Sequence, residues 1–126
     1  MFTHIAVGSN DLDRSKKFYD AIFTALGAKP GFSAKGRIVY SSNGINFLVT
    51  TPIDGKPATH GNGGTIGFAM ANPELAKAWH DAGAANGGTS CEDPPGVREL
   101  PFGKTYLAYL RDPDGNKLCG MCAAAE

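Results

Sequence analysis

Leu110-Arg111-Asp112-Pro113-Asp114-Gly115-Asn116-Lys117-Leu118 reads as a strand, a reversal and a second strand. Pro113 and Gly115 hold the second and fourth places of the four-residue stretch 112–115, the preference of a type I turn. Residues 104–111 and 117–122 on either side are apolar or alternate with period two, as half-buried strands do. The chain therefore closes on an antiparallel hairpin.

Toward the N-terminus, residues 65–70 predict a strand. Asn72-Pro73 predicts a cap and a helix start, because proline's missing N–H costs nothing in the first turn. Leu75, Ala76, Trp79 and Ala82 form that helix's apolar stripe, Gly87-Gly88 ends it, and a short strand follows over 89–92. Residues 93–103, rich in Pro and Gly, predict a loop. The first half has the same order. Residues 3–7 are a β-branched, apolar strand. Asn10 or Asp11 supplies a capping oxygen, and Leu12, Phe18, Tyr19, Ile22, Phe23 and Leu26 recur at helical spacing until Gly27 stops the helix. Extended segments follow around Phe32, over 37–42 and over 45–50, the last two joined by the hairpin signal Asn43-Gly44.

The chain is thus one α+β domain with a βαβββ order written twice: module one over 1–50, a linker over 51–64, and module two over 65–126. One helix per module covers one sheet face. Pairing the modules then predicts a curved mixed sheet around a cleft, with the helices outside.

Composition narrows the function. Twelve basic and twelve acidic residues cancel. No general attraction to nucleic acid or to an anionic membrane follows. No apolar run reaches the roughly 18–20 residues that cross a bilayer. The first residues also lack a basic and then apolar leader, so the expectation is a cytoplasmic protein. Three cysteines argue against a disulfide framework. Cys119 and Cys122, three apart on a strand, point to opposite faces, which makes them buried thiols rather than a redox or zinc pair.

His4-Ile5-Ala6-Val7 followed by Asn10-Asp11-Leu12-Asp13-Arg14-Ser15-Lys16-Lys17-Phe18-Tyr19 resembles the first strand and helix of the vicinal oxygen chelate superfamily. That superfamily includes glyoxalase I, extradiol dioxygenases and the bleomycin and fosfomycin resistance proteins. The stretch 110–118 is similar to its closing hairpin. The resemblance implies paired βαβββ modules and a homodimer. In metal-dependent members, four strand positions give His, Glu or Gln to a divalent ion that polarises two neighbouring substrate oxygens. By that resemblance, the first position falls on His4 and the second on Phe47, or on Asn46 if the register shifts by one. The third falls on Thr65 and the fourth on Cys119.

Only His4 is a clear ligand, so the expectation is a small-molecule-binding protein with a degenerate metal site and no cofactor. It is either a ligand binder or a metal-independent enzyme. The alternative is a metal-dependent lyase or isomerase of the glyoxalase type that keeps His4. His4 is the candidate base and Cys119 the candidate nucleophile beside it. Tyr40, Phe47, Thr65, Arg98 in the loop 93–103, and Tyr106 are the candidate ligand contacts. The resemblance favours Tyr106 over Tyr109 for the cleft. His60 in the linker and His80 on the outer side of the second helix are read as surface residues, and Trp79 as packing.

Overall fold

The computed structural model describes residues 1–124; residues 125 and 126, the end of module two, lie outside the described residues. Strand β1 (His4–Gly8) leads into helix α1 (Leu12–Thr24), then β2 (Phe32–Ala34), β3 (Arg37–Ser42) and β4 (Ile45–Thr50). The second half runs β5 (Ile66–Ala69), α2 (Pro73–Ala85), β6 (Thr89–Ser90), β7 (Gly96–Leu100), β8 (Gly103–Arg111) and β9 (Lys117–Ala123). Asp11 caps α1 by accepting from the Arg14 N–H, and Asn72 caps α2 by accepting from the Leu75 N–H, with Pro73 in the first turn.

The two sheets share one topology. The first has the order β1-β4-β3-β2 and the second β5-β9-β8-β6, with β1–β4 and β5–β9 parallel. Residues 96–100, expected in a loop, form β7. Thr89 and Ser90 pair with Arg111 and Leu110, while Gly96–Leu100 pair with Leu107–Gly103. Strands β6 and β7 are therefore one edge strand on β8, broken at residues 91–95. Pro94 and Pro95 lie in the break, where missing N–H groups leave no ladder bond unmade.

Both helices lie on the same side of the sheets and pack against each other. Gly83 permits that approach: a Cβ there would lie 2.5 Å from Leu110 Cδ1 and 3.0 Å from Ile22 Cγ2. The core beneath the helices is aromatic and continuous across the two halves. Tyr19 and Phe47 have ring centroids 5.1 Å apart, Phe47 and Phe68 5.6 Å, and Phe68 and Trp79 6.1 Å. Phe47 comes from the first sheet and Phe68 from the second, so one core serves both.

The turn between β8 and β9 fastens the halves together. Asp112, itself buried, accepts at Oδ1 from the N–H groups of Asp114 and Asn116, both at 2.9 Å. Its Oδ2 accepts from the Tyr19 hydroxyl of α1 at 2.5 Å and from Asn116 Nδ2 at 2.8 Å. The Asp114 side chain, 2% exposed, accepts from the Asn10 N–H at 3.0 Å, Arg14 Nη2 at 2.8 Å and Ser15 Oγ at 3.2 Å. Asn116 Nδ2 also donates to the Gly8 carbonyl at 3.1 Å. Burial and the Asp112 carboxylate push the Tyr19 hydroxyl's pKa well up, so it remains a donor.

Asp20 does the corresponding work inside the first half. Its carboxylate accepts from the Gly31 N–H at 2.8 Å, the Tyr40 hydroxyl at 2.7 Å and Lys16 Nζ at 2.6 Å. Burial pushes its pKa up, but these three donors outweigh burial and hold the carboxyl below its ordinary value.

Two measurements check this account. Tyr19→Phe leaves a buried carboxylate short of one donor, and urea unfolding should show a loss of about 1–3 kcal/mol. A depressed folded-state pKa means that the Asp20 contribution is complete above the unfolded carboxyl's value and is lost as pH falls through the folded one. The stability difference between the native chain and Asp20→Asn should therefore shrink below about pH 4. A difference constant from pH 7 to pH 3 would contradict the role given to Asp20.

Candidate functional site

Strand alternation divides each sheet into a face under the helices and a face turned away from them. Val7, Ile38, Tyr40, Phe47 and Val49 belong to the core, so their strand neighbours His4, Ala6, Ser41 and Asn46 stand on the other, open face, all exposed. The register places His4 beside Asn46 and Asn46 beside Ser41, a polar row across β1, β4 and β3. Ser41 Oγ donates to Asn46 Oδ1 at 2.6 Å, and His4 Nδ1 lies 3.0 Å from Thr3 Oγ1. His4 Nε2 has no partner among the described residues.

In the second sheet Ala108, Leu110 and Leu118 face the helices, which puts Tyr109, Lys117 and Cys119 on the open face. Tyr109 lies directly across from Cys119. Lys117 Nζ is paired with the Glu92 carboxylate and sits 5.0 Å from the centre of the Tyr109 ring. Hydrogen bonding to Glu92 raises the Lys117 pKa and keeps the ammonium charged. Glu92 itself, in the break between β6 and β7, has φ 57. That left-handed conformation costs a residue with a Cβ roughly 1–2 kcal/mol.

A groove of about 330 Å³ runs along the seam between β1 and β5, lined by Ala6, Gly8, Gly61, Gly64, Thr65 and Lys117 among others.

These placements revise several expectations. Tyr40 and Phe47 face the helices rather than a cleft: the Tyr40 ring is 4.8 Å from Phe23 and its hydroxyl is held by Asp20. With Phe47 turned inward, Asn46 is the β4 residue that accompanies His4. Tyr106 packs against the core, and Tyr109 is the tyrosine of the open face. Arg98 is on β7 opposite Thr105, and its guanidinium donates to the carbonyls of Asp93 and Pro94 at 3.1 and 2.9 Å. It braces the break in the edge strand. Thr65 is exposed just before β5, at the groove.

Cys119 is 5% exposed. Burial pushes its thiol pKa up despite an opposing hydrogen bond with Tyr109, so at neutral pH it is a thiol and not a thiolate. His80, expected at the surface, is buried and joins α2 to β6: Nε2 lies 2.8 Å from Ser90 Oγ and Nδ1 lies 3.0 Å from Asp81. Ser41, Lys117 and Glu92 were not singled out from the sequence, and Tyr109 was weighed there only as the alternative to Tyr106. The signal for Ser41, Lys117 and Tyr109 was strand phase, which alternation leaves undecided between two faces.

Of the side chains at the four strand positions, His4 carries the strong ligand for a divalent ion; the amide beside it on the row has its oxygen engaged by Ser41, Thr65 offers a hydroxyl, and Cys119 a buried thiol. Among the described residues, no group of three or more His, Cys, Asp or Glu is gathered as a metal site.

The chain is 60% identical to a glyoxalase/bleomycin resistance protein from Albidiferax ferrireducens T118. The crystal structure of that protein matches with a TM-score of 0.93 over 96% of this chain and 98% of that one. A glyoxalase-related enzyme from Fulvimarina pelagi shares the fold at 22% identity and TM-score 0.74, over 96% of this chain and 86% of that one. Lactoylglutathione lyase from Agrobacterium tumefaciens shares it at 19% identity and TM-score 0.67, over 96% and 92%. No curated protein matches significantly. The family model for the glyoxalase/bleomycin resistance protein/dioxygenase superfamily matches residues 1–119, and the chain belongs to that superfamily.

Proposed function

We propose that the chain binds a small organic molecule on the open face of its sheets, without a resident metal ion. The observation that carries this reading is the exposed row His4–Asn46–Ser41, set on a face that neither α1 nor α2 covers. A binding surface needs a few convergent polar groups beside apolar walls. His4 Nε2 and Asn46 Nδ2 supply the polar groups, while Thr65 and the ring of Tyr109 supply walls from the other half. His4 also brings the imidazole of this row, and it is the residue on which any acid–base catalysis would turn. The buried thiol of Cys119 contributes shape rather than a nucleophile. Tyr40 and Phe47 act from beneath, by holding the strands that carry the row, and Tyr106 packs against the core from the other sheet. Homodimerisation belongs to the same proposal, a second chain covering what this one leaves open.

Two measurements test the reading. Metal-stripped protein screened against small organic molecules by amide NMR should show shifts concentrated at His4, Asn46 and Thr65. His4→Ala and Asn46→Ala should each weaken the best ligand about five- to tenfold, the loss of one hydrogen bond. Shifts confined to the helices would overturn it. The second measurement is elemental analysis after incubation with zinc, nickel, manganese and iron(II). Near-stoichiometric metal that vanishes in His4→Ala would overturn the metal-free part and favour a metal-assisted lyase or isomerase.

A further inference from the structure

We infer that Lys117 is the anchor for a small organic carboxylate, and that the Glu92 side chain fills this anchor from within when no ligand is bound. The inference rests on the small-molecule reading above and names the ligand class. Three observations on the open face support it.

The first is how Lys117 is held. Its ammonium lies over the Tyr109 ring and is paired with Glu92, and the residue lines the seam groove beside Thr65, Gly61 and Gly64. A carboxylate meeting it would find the charge of a residue that lines a space of about 330 Å³. That size lies at the small end of known ligand pockets, roughly 300–1,000 Å³, and favours a compact molecule. The Tyr109 ring lies 5.0 Å from the ammonium, outside the groove's lining.

The second is the contrast with neighbouring cations. Arg98 is committed to the backbone carbonyls of Asp93 and Pro94, and Arg111, directly across from Lys117, donates to the Gly115 carbonyl at 2.7 Å. Those partners are main chain and cannot leave. The partner of Lys117 is a side chain that can rotate away.

The third is the state of that partner. The Glu92 side chain is 47% exposed, and its residue sits in the left-handed region at the interruption between β6 and β7. Strain of this kind persists where the surroundings hold it in place, and the ion pair with Lys117 is one such hold. A ligand carboxylate offers Lys117 the same oxygen chemistry and returns Glu92 to water, where its charge is fully solvated. The internal carboxylate thus lowers apparent affinity by the fraction of time it occupies the anchor.

The experiment uses benzoate as the probe, with benzamide as its neutral match and sodium chloride at equal ionic strength as control. Binding is followed by amide NMR and calorimetry. Benzoate should shift Glu92, Lys117 and Tyr109. Glu92→Gln should tighten it about tenfold by removing the internal competitor. Lys117→Met should abolish it. Benzoate affinity unchanged or weakened in Glu92→Gln overturns the inference, and so does a sodium chloride response equal to the benzoate response. Benzamide binding as well as benzoate, with shifts at His4 and Asn46, overturns the carboxylate class and leaves the small-molecule reading standing. Absence of any benzoate shift in both the native chain and Glu92→Gln overturns the anchor itself, while the wider screen still judges the reading beneath it.

Discussion

Two carboxylates in the closing turn, Asp112 and Asp114, hold the molecule's halves in register. Their side chains are almost out of water, so each oxygen has to be met by a donor, and the donors come largely from the other end of the chain. Tyr19, Arg14, Ser15 and the Asn10 N–H all belong to α1 or to its start. A carboxylate deprived of such partners would be a buried unpaired charge, and that penalty makes the docking of one half on the other close to all-or-none. The aromatic chain from Tyr19 through Phe47 and Phe68 to Trp79 then fills the space that this docking encloses. The helices are committed to one side, so the other side of both sheets is the face they leave open.

The open face inherits its character from that arrangement. Residues whose side chains point under the helices are mostly apolar, and the Tyr40 hydroxyl is tied off on Asp20. Their alternates are free to be polar: His4, Ser41, Asn46, Thr65, Lys117. The relation is one of strand geometry, since a residue assigned to the core assigns both its neighbours to the opposite face. The superfamily's fold thus supplies the surface, and the particular letters on it are what distinguish this chain's chemistry.

Much of the architecture was legible in the letters, and the failures share a cause. Both helices were readable because a stripe such as Phe18, Tyr19, Ile22 and Phe23 has a period that only a helix satisfies, and the hairpins because Asn43-Gly44 and Pro113 with Gly115 need particular backbone angles. Strand β7 was not readable, since Pro94, Pro95, Gly96 and Gly103 bracket a run too short to show alternation. The face of each tyrosine was not readable either. Tyr106 and Tyr109 differ only in phase, and phase is settled by which residue meets Trp79 or Phe68 from a distant part of the chain. The same holds for Phe47 and Asn46. Asp112 and Asp114 were read as turn formers, which they are. That they also reach α1 is a long-range fact that no local pattern carries.

The broken strand β6–β7 has a consequence for the company the protein keeps. A sheet's outer edge is a template on which another chain can extend the ladder, the first step toward aggregates. In the second sheet that edge carries two prolines and an interruption, and in the first it is β2, three residues long. Strands β1 and β5, at the other margins, flank the seam groove. The longest uninterrupted row on either outer margin is the five residues of β7.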